Sequence, residues 1–377
     1  MSIRRQEPRT GNVLVLTAFM MIGMMAMLAF AIDLGYLYVA KTELQRSADA
    51  AAMAAGWELL DDDVVFGNEL PSQTHEQARA VADQYASYNR ILRQSPSLHD
   101  SDVTVGYLSN PWDSTATINP HGSGYNAVRV RIQRTPGQNG AVPMLFGRVL
   151  GVDETPLQAE ATAVMMSNFG GFRVSEGGPN LNLLPFALDL QTWNDLLAGI
   201  GNDDWTWDAQ NKKILPGGDG ILEVNLYPQG TGSPGNRGTV DIGLSNNSTR
   251  DIARQIVHGI SHSDLAHHGG KLELDENGEL ELNGDTGISA GVKDELASIM
   301  GQPRIIPIFS KVVGPGNNAQ YTIVQFVGVR IMEVRLTGSM SGKKVIVQPA
   351  KVVARGGIPR TDEQSSYFVY SPVWLVR

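Results

Sequence analysis

Two short stretches of this sequence carry residue types that could perform hydrolysis or bind a metal ion. The first, Gly287-Ile288-Ser289-Ala290-Gly291, has the G-x-S-x-G spacing of a nucleophile elbow, in which a tight turn exposes the serine hydroxyl ahead of a helix. The second is a histidine group formed by His258, His262, His267 and His268. Its first two members are four residues apart and would share one face of a helix, as zinc ligands often do.

The surroundings of Ser289 argue against a hydrolase. An elbow follows a strand, whereas residues 283–286 read Asn-Gly-Asp-Thr and predict a turn. In the hydrolase order the histidine follows the serine, but the last histidine is His268. A His-Asp-Ser order, an Asp-His-Ser order and a pair with Lys293 remain open. The simpler interpretation is that Ser289 caps a helix beginning at Ala290, so we predict no catalytic residue and no enzyme.

The other candidate sites lack the ligands that their chemistry requires. A zinc protease has H-E-x-x-H, whereas residues 258–262 read H-G-I-S-H without the glutamate base. In Asp275-Glu276-Asn277-Gly278 the glycine comes too early for an EF-hand loop, and Arg335 replaces the first aspartate of a D-x-S-G-S-M cation site. We therefore interpret the histidines as solvated loop residues and predict no metal site and no cofactor.

Composition bounds the remaining classes. The 377 residues allow two or three domains, and 42% hydrophobic residues with 41 glycines and 19 prolines indicate a folded, turn-rich chain. Residues 1–60 hold five basic and five acidic side chains, so the net charge of −9 lies beyond residue 60. An acidic protein does not favour nucleic acid as a partner. The absence of cysteine excludes disulfides and thiolate chemistry.

The element around which the chain is organised is an uncharged run of twenty residues, Val13 to Ile32. A helix of that length spans about 30 Å, the hydrocarbon thickness of a bilayer. We predict a transmembrane helix whose anchoring side chains include Val13, Leu14, Leu16, Phe19, Ile22, Leu28, Phe30 and Ile32. A buried helix of a soluble protein would usually be shorter and amphipathic.

The residues that flank this run bear on whether it is cleaved and on how it is oriented in the membrane. A cleaved signal peptide is the competing interpretation, and Ala29-Phe30-Ala31 has the A-x-A form of a cleavage site. The run is longer than a signal core, however, and a helical pattern continues past Asp33, which we interpret as the water boundary. Arg4, Arg5 and Arg9 precede the span, so the positive-inside rule predicts a cytoplasmic N-terminus.

An alanine-rich helix is predicted directly after the span, over residues 33–60. Its apolar stripe, at spacings of three and four, is interrupted only by Lys41 and consists of Leu37, Leu44, Ala48, Ala51 and Ala55. Small side chains let a neighbouring element approach closely. The neighbour is either the chain's own globular part or another subunit, including a second copy of the chain. We predict that these five residues form the stripe through which the helix interacts with that neighbour.

The N-terminal segment combines the apolar span with a distinctive set of residues: Gly11, Asp33, Gly35, Tyr38, Gln45 and Asp49. In this combination it resembles the TadE/TadG-like (Tad-like) Flp pilus-assembly proteins. The match is firm over residues 9–56 and looser to about residue 168. The resemblance implies a bacterial, single-pass protein of the inner membrane that contacts other pilus-assembly or surface proteins. Because no glutamate occurs in residues 12–16 after Gly11, we predict no prepilin-type cleavage and a TadG-like role.

The fold class that we predict is α+β, with the transmembrane helix continuing into a long amphipathic helix, then a small pilin-like α+β domain and a mostly β ectodomain forming a barrel or sandwich. Local signals predict a helix over Gln73–Gln94 with a Thr74/Gln77 capping box, a helix over Met144–Leu150, and a hairpin around residues 275–278. The boundaries are a cytoplasmic tail at 1–12, the transmembrane helix at 13–32, the alanine-rich helix at 33–60, the Tad-like domain at 61–168, a Gly-rich linker at 169–180 and the ectodomain at 181–377.

Overall fold

A computed structural model describes residues 12–61, 65–66, 71–113, 115–121, 124–227, 237–243, 248–285, 287–314, 318–361 and 364–376. The chain divides into two compact units. The first unit consists of residues 1–64, 69–164 and 373–377, and the second of residues 65–68 and 165–372. The main segment of the second unit, residues 165–372, is thus inserted between the last two segments of the first.

The described residues form six α-helices. They are α1 (Asn12–Glu58), α2 (Pro71–Tyr88), α3 (Leu190–Leu197), α4 (Thr249–His258), α5 (His262–Leu265) and α6 (Lys293–Ser298). Short 3-10 turns cover Asp100–Asp102, Gly147–Leu150, Ala266–His268, Ala290–Val292 and Met340–Gly342.

Strands make up most of the remaining chain. They are β1 (Val103–Gly106), β2 (Ala127–Arg134), β3 (Val142–Pro143), β4 (Glu154–Thr155), β5 (Leu157–Val164), β6 (Phe169–Arg173), β7 (Phe186–Asp189), β8 (Trp205–Asp208), β9 (Lys213–Pro216), β10 (Val224–Asn225), β11 (Arg237–Val240), β12 (Lys271–Glu273), β13 (Leu280–Asp285), β14 (Pro303–Val313), β15 (Ala319–Arg335), β16 (Lys344–Pro349), β17 (Val352–Val353), β18 (Gly357–Pro359), β19 (Ser366–Tyr367), β20 (Val369–Tyr370) and β21 (Trp374–Val376).

The first unit is built on an antiparallel sheet of order β1-β2-β5-β21. In β2 the residues Val128, Val130 and Ile132 are buried, as the period of two predicts. The edge strand β21 is the C-terminal end of the described chain, and its Trp374 pairs with Val164 of β5. The predicted ectodomain of 181–377 therefore differs from the structure at its end, because residues 373–377 complete the sheet of the first unit.

Helix α2 differs from the predicted Gln73–Gln94 at both ends. It begins at Pro71, whose fixed backbone angle suits the first turn, so Thr74 lies inside the helix and not at its cap. It ends at Tyr88, and shortly afterwards Leu92 and Arg93 adopt left-handed backbone angles (φ 48° and 69°) that a helix cannot contain. The predicted capping box is therefore not the start of this helix.

The second unit is mostly β, as predicted, and contains a small barrel. Strands β15, β13, β11, β7 and β14 are neighbours in that order, and β14 also pairs with β15, which closes the ring. Pairing is antiparallel except between β7 and β14. Along β7, Phe186 and Leu188 enter one hydrophobic core while Ala187 enters another, so both faces of the sheet are covered.

Two local predictions for the second unit were wrong. The Gly-rich run predicted as a linker at 169–180 begins with strand β6, in which Phe169 and Phe172 are fully buried. The linker was predicted from the glycine content of the run, which does not show that these two aromatic residues belong to the core. The turn at Asp275–Gly278 forms, with the Asp275 N–H donating to Glu279 O at 2.8 Å. Its flanking strands do not pair as a hairpin, however, because β12 joins β6 while β13 joins the barrel.

Candidate functional site

Helix α1 changes its environment along its length. From Val13 to Ile32 every side chain except Ala29 is exposed, including all the predicted anchoring residues, among them Phe19 at 69% and Phe30 at 67%. This is the one helix in the described ranges that is long and apolar enough to cross a membrane. An apolar helix exposed on all sides has no polar face to offer to water.

Asp33 stands where the exposed span ends, and it is buried to 4% exposure. Its Oδ1 accepts hydrogen bonds from the N–H groups of Leu145 (2.8 Å) and Phe146 (3.2 Å). Its Oδ2 accepts from Phe146 (3.0 Å) and Gly147 (2.7 Å). A carboxylate is well suited to this position, because the free N–H groups at the start of a helical turn carry partial positive charge. Our prediction that Asp33 marks the water boundary was wrong about its burial; Asp33 is instead a clamp between α1 and the 3-10 turn.

The partner of Asp33 is a connection between two short strands. Strands β3 and β4 pair through Val142 with Thr155 and Pro143 with Glu154, and residues 144–153 form the tip that joins them. Gly147 is required in this tip, since a Cβ there would lie 2.9 Å from the Val152 carbonyl oxygen. The turn ends at Leu150, where the predicted helix over Met144–Leu150 also ends, but it is 3-10 and begins only at Gly147. Gly151, which follows it, is in the left-handed conformation.

Two further polar residues attach α1 to strand β5. The Gln45 amide donates to the Asp49 carboxylate at 2.9 Å and to the Glu160 carbonyl oxygen at 2.9 Å. One turn earlier, the Lys41 ammonium donates to the Gln158 carbonyl oxygen. Three of the residues that carry the family resemblance, Asp33, Gln45 and Asp49, therefore serve to hold the long helix on its own unit.

The alanine stripe lies inside this unit. Leu44, Ala48, Ala51 and Ala55 are fully buried against the sheet and α2, whereas Leu37 is half-buried. Close packing continues to Gly56, where an added Cβ would approach Val373 of the C-terminal segment to 2.8 Å. Of the two interpretations left open by the sequence, packing within the chain accounts for the burial of these four residues.

The opposite face of α1 carries the remaining resemblance residues. Tyr38 is 75% exposed, and outside the adjoining residues and backbone of the helix no described atom lies within 4 Å of the position that a Cβ would take at Gly35. Leu34 beside them is 55% exposed. The packing of the first unit gives no reason for glycine or tyrosine here. Gly11, the other resemblance residue, lies outside the described residues.

The candidates for hydrolysis in the second unit have structural uses. The exposed Ser289 hydroxyl accepts from the Gly291 N–H at 3.2 Å and caps the 3-10 turn at Ala290–Val292, as expected for a helix cap. Lys293 begins helix α6, and among the described residues no hydrogen bond joins it to Ser289.

The described histidines of the second unit have individual structural environments. The Nδ1–H of His262 donates to the Val174 carbonyl oxygen at 2.7 Å. Burial, together with the neighbouring His267, lowers the pKa of His268 below its ordinary value and keeps that ring neutral at pH 7. Among the described residues no three His, Asp or Glu side chains gather as metal ligands.

Comparison with known families places these features in a class. Two overlapping family matches cover the long N-terminal helix and the small α+β unit on which its second half packs. Residues 11–58 match the Flp pilus-assembly TadE/G-like family, and residues 45–163 match the Tad-like Flp pilus-assembly family. Over residues 11–163 the chain is therefore similar to the Tad-like Flp pilus-assembly families. No curated protein and no solved structure matches the chain.

Proposed function

We propose that this protein is a single-pass, non-enzymatic component of a Flp-type pilus-assembly machine in the bacterial inner membrane. Helix α1 crosses the bilayer through residues 13–32, the N-terminus is cytoplasmic, and both compact units are extracytoplasmic. The observation that carries this proposal is the exposure of the twenty-residue apolar span, at every position except Ala29, beside a buried Asp33 clamp. The matched families are described by pilus assembly and not by a reaction, which supports a role based on protein contacts.

The mode of action that we propose is mechanical coupling between the bilayer and the first unit. Helix α1 is continuous for 47 residues, about 70 Å, and its second half is fixed by the buried stripe and by Asp33 and Gln45. A displacement of the membrane span must therefore be passed to the sheet of the first unit. A flexible joint at the membrane surface would not have this property.

Partners are expected on the face of α1 that the first unit leaves open. Gly35 is two residues beyond Asp33, which places it about 200° around the helix, and Tyr38 and Thr42 follow at spacings of three and four. Gly35 and Tyr38 are therefore proposed to contact another pilus-assembly protein or a second copy of the chain. The thioether side chains of Met20 and Met24, in the exposed span, offer an adaptable continuation of that surface.

The topology is tested by protease accessibility in spheroplasts of a cell carrying tags at both ends of the full chain. External protease is expected to digest both units and to leave the N-terminal tag protected. The same tag should become accessible after detergent is added, which controls for resistance of the tag itself. An N-terminal tag digested in intact spheroplasts would overturn the proposed orientation, and a chain found wholly in the soluble fraction would overturn the anchor.

A further inference from the structure

The tip at residues 144–153 has an unusual surface. Five of its exposed side chains are apolar, Leu145 (57%), Phe146 (44%), Val149 (87%), Leu150 (83%) and Val152 (47%), beside the exposed Arg148 and Asp153. Arg148 is the only charged residue between Met144 and Val152. Single exposed apolar residues are ordinary, but five within eight positions form a patch that needs a partner.

The position of this patch is set by the Asp33 clamp. Three consecutive backbone N–H groups of the tip lie within 3.2 Å of the Asp33 carboxylate, and Asp33 directly follows Ile32, the last residue of the apolar span. The tip is therefore the part of the first unit that α1 holds at the level where the span ends. A helix that crosses the bilayer must bring this patch to the bilayer surface.

Most backbone N–H groups of the tip are also hydrogen-bonded within the chain, as contact with hydrocarbon requires. At least seven of its nine N–H groups from Met144 to Val152 donate within the chain: those of 145, 146 and 147 to Asp33, and those of 144, 149, 151 and 152 to backbone carbonyl oxygens. Unpaired backbone groups are costly in hydrocarbon, whereas a loop facing water has no need of such extensive pairing. The long side chain of Arg148 can extend its guanidinium to the headgroups.

We infer that the tip at residues 144–153 inserts into the outer leaflet boundary as a second membrane contact of the first unit. Its occupant is lipid, and Val149 and Leu150 enter deepest because they are the most exposed. Two contacts, the span and the tip, fix the first unit against rotation on the membrane surface. This inference rests on the proposed membrane anchor.

The test uses single-cysteine variants of the full chain, which has no native cysteine. Val149→Cys and Leu150→Cys, each on a fully exposed position, are labelled with an environment-sensitive fluorophore and reconstituted in vesicles whose lipids carry a quencher either near the headgroup or at the end of the acyl chain. Met20→Cys reports the span. Tyr88→Cys, 66% exposed in α2, is the matched control, because α2 contacts α1 at Ser47 through the Ala86 carbonyl, about 21 Å beyond Asp33.

Both tip labels are expected to lose most of their fluorescence to the shallow quencher, the Met20 label to the deep quencher, and the Tyr88 label to neither. Tip labels as unquenched as Tyr88, with Met20 quenched, would overturn the inference and leave the anchor standing. A Met20 label that is also unquenched would overturn the anchor and the inference together. Tip labels shielded from aqueous iodide but not quenched by lipid would show that protein covers the tip, which also overturns the inference.

Discussion

The two halves of helix α1 have the same backbone and opposite surroundings. Residues 13–32 are large, apolar and exposed, whereas the buried positions of residues 33–58 are mostly alanines that contribute little area each. The first half has exposed apolar side chains on every face, whereas the buried apolar side chains of the second half lie on one face. The difference indicates that residues 13–32 contact an apolar environment outside the chain, whereas residues 33–58 pack on the first unit. Asp33 lies at the boundary between the two halves.

The largest effect is expected when a charged side chain is introduced at a buried position in the second half of α1. Ala51→Glu places a longer side chain and a carboxylate in a fully buried position, so we expect the free energy of unfolding of the first unit to fall by about 3 kcal/mol or more. Hydrogen exchange of strands β2 and β5 in the full chain measures the loss. Arg46→Glu, exposed on the same helix, is the control and should leave that exchange unchanged. Equal effects of the two changes would mean that the stripe is not core.

The same substitution in the first half should have a different consequence. Ala26 is exposed within the span, so Ala26→Glu is not expected to alter exchange in β2 or β5. It should instead reduce membrane integration, since an acidic side chain near the centre of a spanning helix costs about 3 kcal/mol on insertion scales. Membrane-fraction yield after carbonate washing measures this effect, with Ala26→Leu as the control. Normal integration of the glutamate variant would contradict the assignment of this half to lipid.

The boundary between the halves is tested by removing its carboxylate. Asp33→Ala leaves three backbone N–H groups without their acceptor, and we expect a loss of about 2–3 kcal/mol that is concentrated in the tip. The amides of Leu145, Phe146 and Gly147 should exchange much faster. Asp153→Ala removes an exposed acid at the base of the same tip and should leave these amides protected. Unchanged protection in the Asp33 variant would show that β3 and β4 hold the tip without the clamp.

What the sequence could and could not predict follows from the range of each interaction. The span, the long helix and the Gly151 stop depend on composition and local backbone preference, and all were predicted from adjacent residues. The burial of Asp33 was missed because its partners are backbone N–H groups 112 to 114 residues away, which leave no side-chain signature. The pairing of β21 with β5 was missed for the same reason, since a three-residue strand carries no record of its partner.

The smallest effect on stability is expected from a substitution at Gly35. This substitution distinguishes a role of Gly35 in the packing of the first unit from a role in contact with a partner. An added methyl group meets no atom within 4 Å, and alanine favours a helix over glycine by about 1 kcal/mol, so Gly35→Ala should leave the first unit as stable or slightly more stable. Exchange in β2 and β5 measures this. If Gly35 instead serves a close contact with another helix, the same change should weaken cross-linking between a Tyr38→Cys variant and its partner while stability is retained. Leu34→Ala, which shortens an exposed neighbour without adding bulk at Gly35, is the control for cross-linking. A stable Gly35→Ala protein with undiminished cross-linking would remove Gly35 from the proposed partner face, and a destabilised one would mean that α1 meets its own unit on both sides.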